Sequence, residues 1–525
     1  MSDSRPEKVH DSTCGRQRIR RIAIVGGGTA GWMAASTLAR ILGDRCSIQL
    51  IESAEIGTVG VGEATIPPIV DFLRFLSIDL DNFVAHTQAT YKLGIGFRDW
   101  LRPGHRYWHP FGPFGTQINR VPFYHFWHKA KAQGLDPAIG SFNVEIALAE
   151  ANKFIFPTGS LGVAPDLRYA LHFDAILVAR YLRGYAEHLG VERLERKVVA
   201  ATQREDGFID ELIFENGGRL QADLYIDCSG FRGLLIEDTL KTGYEDWTRY
   251  LPCDRAVAMP TALNGPRTPY TLSTARAAGW QWRIPLQHRV GNGYVYCSSH
   301  ISDDAALQDL RGALGQEPLA EPRFLRFVTG RRKQFWNRNC VALGLASGFL
   351  EPLESTSIHL IVSGLYSLID HFPDMSFDPG NIAHYNRQLG DELDHVRDFI
   401  VLHYCATERT DSPLWNYCRS MPIPDSLAER MELYRSTGRI FQKRDELFTD
   451  LSWFFVMDGL GLQPRNYNPM VDTVDFAQVK RIMSEVQGRV AAAVAAAPAH
   501  DSFFSTVPSG ASVAQAFKQV AGRAT

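Results

Sequence analysis

The spacing Gly26-x-Gly28-x-x-Gly31 suits one kind of chemistry, the binding of a dinucleotide. The first glycine permits a tight turn, the second lets the backbone approach a pyrophosphate, and the third lets a helix pack closely on a strand. Thr29 and Ala30 lie inside the turn, and unpaired N–H groups at a helix N-terminus face the anion. Glu52 follows 21 residues after Gly31, where a carboxylate can accept bonds from both hydroxyls of a ribose. A second group is Lys92. Tyr91, Leu93, Ile95 and Phe97 alternate with Lys92, Gly94 and Gly96, so a strand here puts the ammonium on a face bare of other side chains. By residue type alone, a solvated lysine is the commoner outcome. A third group is Glu351, Glu354, Thr356 and Ser357, just before an amphipathic helical pattern. First-turn N–H groups suit an anion. Thr356 and Ser357 also read as a plain N-cap, and the two readings are compatible.

Several elements must position these groups. Arg21–Val25 reads as a buried strand, 32–42 as a helix ended by Gly43, and 47–51 as a second strand running into Glu52, which together make one βαβ unit. Residues 55–68 form a loop rich in Gly, Pro and Thr, of a length expected of a functional segment. An aromatic insertion spans about 100–160, a strand returns at 220–230, and 240–330 reads as mainly strand. Another buried strand lies at 341–346. A helix over 358–372 places Ile358, Ile361, Val362, Leu365, Leu368 and Ile369 on one face. The expected organisation is a disordered N-terminus over 1–19, a main module over 20–370, a helical substrate-covering part over 371–497 and a flexible tail over 498–525.

The bulk properties exclude several classes. The chain has 525 residues, a formal net charge of −3, 45% hydrophobic and 22% charged residues, so there is no electrostatic case for a nucleic-acid partner. The eight cysteines show no Cys-x-x-Cys and no zinc spacing, and no metal is expected. No signal peptide or membrane span is visible, which with reduced thiols suggests a cytoplasmic protein.

Tyr225-Ile-Asp227-Cys-Ser-Gly230 resembles the late strand that closes FAD sites in flavin monooxygenase-like proteins, so FAD is favoured over a nicotinamide. The fold class expected is therefore α/β: an FAD-binding Rossmann-like domain of the flavin monooxygenase type with a mostly helical C-terminal part. No second G-x-G-x-x-G is present to hold NADPH, so reduced flavin would come from elsewhere.

Trp280-Gln-Trp282-Arg-Ile284-Pro285 resembles the W-x-W-x-I-P signature of flavin-dependent tryptophan halogenases. The resemblance extends through Gly26–Gly31, Gly60-Val-Gly-Glu-Ala-Thr-Ile-Pro67, Lys92, His109-Pro-Phe111 and Glu351-Pro-Leu-Glu-Ser-Thr356, in order over most of residues 20–370. It implies FADH2, O2 and chloride or bromide as reactants. It also implies a separate NAD(P)H-dependent flavin reductase as partner, with a homodimer possible. Hypohalous acid would reach Lys92, where lysine either polarises it by hydrogen bonding or forms a haloamine, and Glu354 would take the ring proton. Halide would bind the backbone amides of Thr356 and Ser357, although many relatives carry glycine at the Ser357 position. Ala64, Val198, Asp227, Leu345 and Ile358 join Gly26, Gly28, Thr29, Ala30, Gly31 and Glu52 as expected flavin contacts. His109 and Phe111 would sandwich an indole, with Trp108 and Trp453 as further walls and Glu351 structural. Beyond residue 440 nothing matches the contacts that hold a free tryptophan's amino and carboxyl groups. Free indole, a substituted indole or a larger aromatic metabolite then suits the site as well as tryptophan does. Two other readings stay open here: an aromatic monooxygenase on the same fold, and a catalytically silent flavin-binding interaction protein.

Overall fold

The computed structural model describes residues 18–53, 62–157, 164–443 and 446–504. The run Ile22-Ala23-Ile24-Val25 is apolar at every position because its strand, Arg21–Val25, lies in the middle of a sheet covered on both faces. It pairs in parallel with Ser47–Glu52 on one side and Leu224–Asp227 on the other. Glu192–Glu195, Cys340–Ala342 and Trp336–Asn337 complete six strands, the last antiparallel. The helix Thr29–Leu42 follows the glycine turn and buries Trp32, Met33 and Leu38.

A seven-stranded sheet carries the aromatic motif. Gly279–Pro285 pairs with Thr271–Arg276 and Val290–Tyr296, and Thr271–Arg276 pairs in parallel with Gly94–Arg98, which in turn pairs with Arg106–Pro110. Trp280 and Trp282 share a face across Gln281. Gly293 lies opposite Trp282, and an added Cβ there would collide with the indole. The region 240–330 also contains the helix Asp303–Leu314, started by the Ser302 side chain accepting the Ala305 N–H at 3.2 Å.

The strand expected through Lys92 is two strands. Thr90–Lys92 pairs with Ala170–Asp174, which also pairs with Gly62–Ala64, whereas Gly94–Arg98 belongs to the large sheet. Leu93 is the crossing point: its N–H donates to Pro269 O at 2.8 Å and its carbonyl accepts from Phe111 N–H at 3.1 Å. The glycines therefore do not clear a space beside the ammonium. An added Cβ at Gly94 would come within 2.7 Å of the His109 carbonyl, so Gly94 serves the close approach of two strands.

Asp227 is a second correction. Its carboxylate accepts from Ser229 N–H (2.9 Å), Leu235 N–H (2.8 Å) and Ile236 N–H (2.8 Å), so it caps the next turn rather than facing a cofactor. The C-terminal part is helical over Pro379–Cys405, Pro413–Ser420, Asp425–Thr437, Asp450–Gly459 and Phe476–Ala496. The loose tail expected over 498–525 is contradicted at 498–504. His500, Phe503 and Phe504 place their rings 6.2, 5.8 and 5.7 Å from Tyr91, and burying that aromatic cluster outweighs the chain entropy lost. Ile19, expected to be disordered, is buried. Residues 1–17, 54–61 and 505–525 lie outside the described residues. Among those described, no helix is long and apolar enough to cross a membrane.

Asp227→Ala would leave two buried N–H groups, and a third that is partly buried, without an acceptor. At ~1–3 kcal/mol for each unsatisfied group, the chemical-denaturation midpoint is expected to fall by the equivalent of about 3 kcal/mol or more, with Asp227→Asn in between. An unchanged midpoint contradicts the capping role.

Candidate active site

Two compartments meet at the segment Pro352–Ile358. The first is a cavity of 390 Å³. Gly26, Gly28, Thr29, Ala30, Glu52, Ala64, Val198, Leu345 and Ile358, each expected to contact flavin, all line it. Gly31 does not: an added Cβ there would collide with the Gly26 carbonyl, so its role is helix packing. An added Cβ at Gly28 would meet nothing within 4 Å, which leaves this backbone facing open space. The helix that begins at Thr29 has no side-chain cap. Its free N–H groups, the bare Gly28 backbone and the Glu52 carboxylate fit the pyrophosphate and ribose of FAD. Glu52 is itself paired with Arg193, a partner 141 residues distant that sequence reading missed. Cys228, Ser229 and Phe231 also line this cavity, in the place assigned to Asp227. Trp282 and Ile284 of the aromatic motif form part of its wall.

The second is a buried polar cluster around Lys92, whose side chain is fully buried. Its Nζ donates to Thr65 O at 2.9 Å and to Ser355 Oγ at 2.8 Å. Thr65 is held in turn by its hydroxyl, which donates to Leu171 O at 2.6 Å. Ser355 has left-handed backbone (φ 59°), a strained conformation for a residue other than glycine, and so turns its hydroxyl onto the lysine. Burial pulls the Lys92 ammonium down to about 7, partly opposed by the Glu354 charge. The Phe111 ring centroid lies 5.2 Å from Nζ.

Glu354 is buried between two imidazoles. His109 Nδ1 is 2.6 Å from Oε2 and His403 Nε2 is 2.8 Å from Oε1, the latter off the line of an ideal hydrogen bond. Burial alone would raise this carboxyl, but the two histidines outweigh it and hold the acid down at about 2. Tyr107 Oη is 2.7 Å from His403 Nδ1. Burial pushes that phenol well above its ordinary range and pulls the imidazole down, so the phenol donates and His403 is neutral. That tautomer puts the N–H on Nε2, toward Glu354. Neither Tyr107 nor His403 was marked by sequence reading, because no local motif joins residues 296 positions apart.

His109 packs against Phe111, Phe399 and Phe448 at centroid distances of 6.4, 5.3 and 5.9 Å. Trp453 reaches this group through Phe399, at 4.8 Å, and lies under the Arg430 guanidinium. It is thus an outer wall, with Phe399 and Phe448 standing where Trp453 was expected. Trp108 faces elsewhere, since the pleat turns it away from His109. Glu351 is structural: Trp280 Nε1 donates to it at 2.8 Å and Tyr404 Oη at 2.5 Å.

Thr356 is the N-cap of the helix Ser357–Asp370 and makes no side-chain capping bond. Its buried hydroxyl has no partner among the described residues. Ser357 and Ile358 line the first cavity while Glu354 and Ser355 face the second compartment. An anion at the amides of Thr356 and Ser357 would therefore lie between the two compartments.

A family model described as tryptophan halogenase matches residues 21–476. A tryptophan 6-halogenase from Streptomyces toxytricini is 34% identical over 516 residues, covering 93% of this chain and 98% of its own. A tryptophan 7-halogenase from Lentzea aerocolonigenes is 34% identical over 510 residues, covering 90% and 95% respectively. The solved structure of a flavin-dependent halogenase from Xanthomonas campestris is 47% identical with a TM-score of 0.90, covering 93% of this chain and 98% of that one.

If His403 holds Glu354 ionised, His403→Leu should raise the carboxyl and create an acid limb in kcat/KM between about pH 4 and 6. His403→Gln keeps an N–H for Glu354 and should show no such limb, like the unaltered chain. Matching pH profiles for the Leu and Gln variants contradict the assignment.

Proposed function

The chain belongs to the tryptophan halogenase family, a group of flavin-dependent halogenases, and from that premise we propose that it halogenates an indole-type ring lacking the charged ends of free tryptophan. Its reactants are FADH2, O2 and halide, and a separate flavin reductase supplies the reduced cofactor. Neither the aromatic monooxygenase nor the silent flavin-binding reading is favoured by its relatives.

The observation that carries the mechanism is the shared segment Pro352–Ile358, whose two ends (Pro352, and Ser357 with Ile358) line the flavin cavity while Glu354 and Ser355 between them face Lys92 and its neighbours. When bound, reduced FAD with O2 and halide supplies hypohalous acid. The amides of Thr356 and Ser357 hold halide at the boundary. Lys92 has three N–H groups as an ammonium; Thr65 and Ser355 take two, and the third is free for the oxygen of the oxidant. As the ring carbon takes the halogen, the O–halogen bond breaks and Lys92 gives a proton to the departing oxygen, which leaves as water. An acid near 7 is suited to that transfer at neutral pH. Glu354 takes the ring proton, the C–H electron pair restores aromaticity, and proton transfer from Glu354 to Lys92 resets the site. His109 and Phe111 hold the ring so that one carbon faces the lysine.

The substrate reading rests on the wall around His109. Phe111, Phe399 and Phe448 are apolar; Arg430, behind Trp453, pairs through Nη2 with Glu446, while its Nη1 and Trp453 Nε1 are buried without a partner among the described residues. A flat ring suits this wall better than an amino acid with two charged groups.

Incubation with FAD, a flavin reductase, NADH and bromide against an indole panel should give products with the bromine isotope doublet, with indole ahead of tryptophan. Lys92→Ala should bind FAD and oxidise it normally yet form no product. Product formation should fall as pH rises through about 7, where the buried ammonium is lost. Hydroxylated products, or normal bromination by Lys92→Ala, contradict the mechanism.

A further inference from the structure

A second cavity, of 1170 Å³, lies against the strand pair Gly94–Arg98 and Arg106–Pro110, and His109 is not among the residues that line it. Arg98 and Arg106 stand directly opposite each other on these strands, and both face the cavity. Two like charges placed across a strand pair repel and destabilise it unless a counter-charge is present. Neither guanidinium has an acidic partner within 4 Å or a side-chain hydrogen bond among the described residues. Arg98 Nε is buried without a partner, and so is Nδ1 of His105, the neighbour of Arg106 in the chain.

No acid lies within 4 Å of either guanidinium among the described residues, although Glu150 and Asp458 also line the cavity. Glu408 pairs with Arg102 at 2.9 Å, Glu150 accepts from Trp108 Nε1 at 3.2 Å, and Asp458 is 3.6 Å from Lys131 Nζ. The rest of the wall mixes apolar side chains (Ile139, Ile146, Phe455, Val490 and Val494) with Ser141, Gln487 and Lys153, whose Nζ donates to Val494 O at 2.7 Å. A polar end with paired cationic donors beside apolar side chains matches one ligand class. We propose that this cavity binds an organic anion, its carboxylate held by Arg98 and Arg106 and its apolar body lying against Val490 and Val494. Guanidinium groups favour this head group because their forked donors match the two carboxylate oxygens. His109 and Phe111 do not line this cavity, although Tyr107, whose phenol meets His403, does; the proposal does not depend on the mechanism above.

The test is calorimetric titration of the FAD-loaded full chain, with indole present in excess, using octanoate and its neutral counterpart octanamide. One octanoate per chain should bind, and octanamide about tenfold more weakly or worse. Arg98→Met with Arg106→Met should weaken octanoate about tenfold while leaving FAD content and indole bromination unchanged. Equal affinity for octanoate and octanamide overturns the proposal without recourse to any variant. So does an absence of octanoate binding at millimolar concentration, or an unchanged affinity in the double variant.

Discussion

A charged group taken out of water must be paired, and two such groups within one small compartment constrain everything around them. Glu354 is ionised and buried because His109 and His403 hold its two oxygens. Lys92 is buried because Thr65 and Ser355 satisfy two of its donors. These four supports come from four places: Thr65 just after the strand Gly62–Ala64, His109 in the large sheet, Ser355 in the turn ahead of the helix Ser357–Asp370, and His403 in the long helix Pro379–Cys405. None of the elements can shift without leaving a charge unsatisfied, which keeps the reacting groups in fixed positions and preorganised for catalysis.

The aromatic motif is part of the same framework. Trp280 hangs from Glu351, Glu351 also takes Tyr404, and Glu351 lies three residues before Glu354. Burial pushes the Glu351 carboxyl up to about 7, so this acid acts as an anchor for indole and phenol rather than as a second catalytic anion. Trp282, two residues on, forms part of the flavin-side wall. In the proposed mechanism the motif therefore braces the partition between the flavin side and the Lys92 side, and it touches neither Lys92 nor Glu354 directly.

What was legible in the sequence was what is local. The glycine turn, its strand and Glu52 lie within about thirty residues, and their spacing alone encodes a nucleotide cradle. The turn ahead of the helix Ser357–Asp370 was readable for the same reason. What remained hidden is long-range. His403 and Tyr107 meet across 296 positions, and Phe399 joins His109 from a distant helix. Asp227 was misplaced because an acid at a strand end has the same appearance whether it faces a ribose or caps a turn. Lys92 was placed on a glycine face because alternation cannot show that a chain leaves one sheet for another at Leu93.

The central claim is that oxidant passes from the flavin cavity to Lys92 around Pro352–Ile358 without entering bulk water. The most direct measurement is the partition of oxidised bromine between a saturating bound indole and a bulky phenolic dye kept in solution, during turnover of the unaltered enzyme. The account predicts brominated indole with the dye left intact at any dye concentration. Dye bromination that grows with dye concentration at the expense of brominated indole would contradict it.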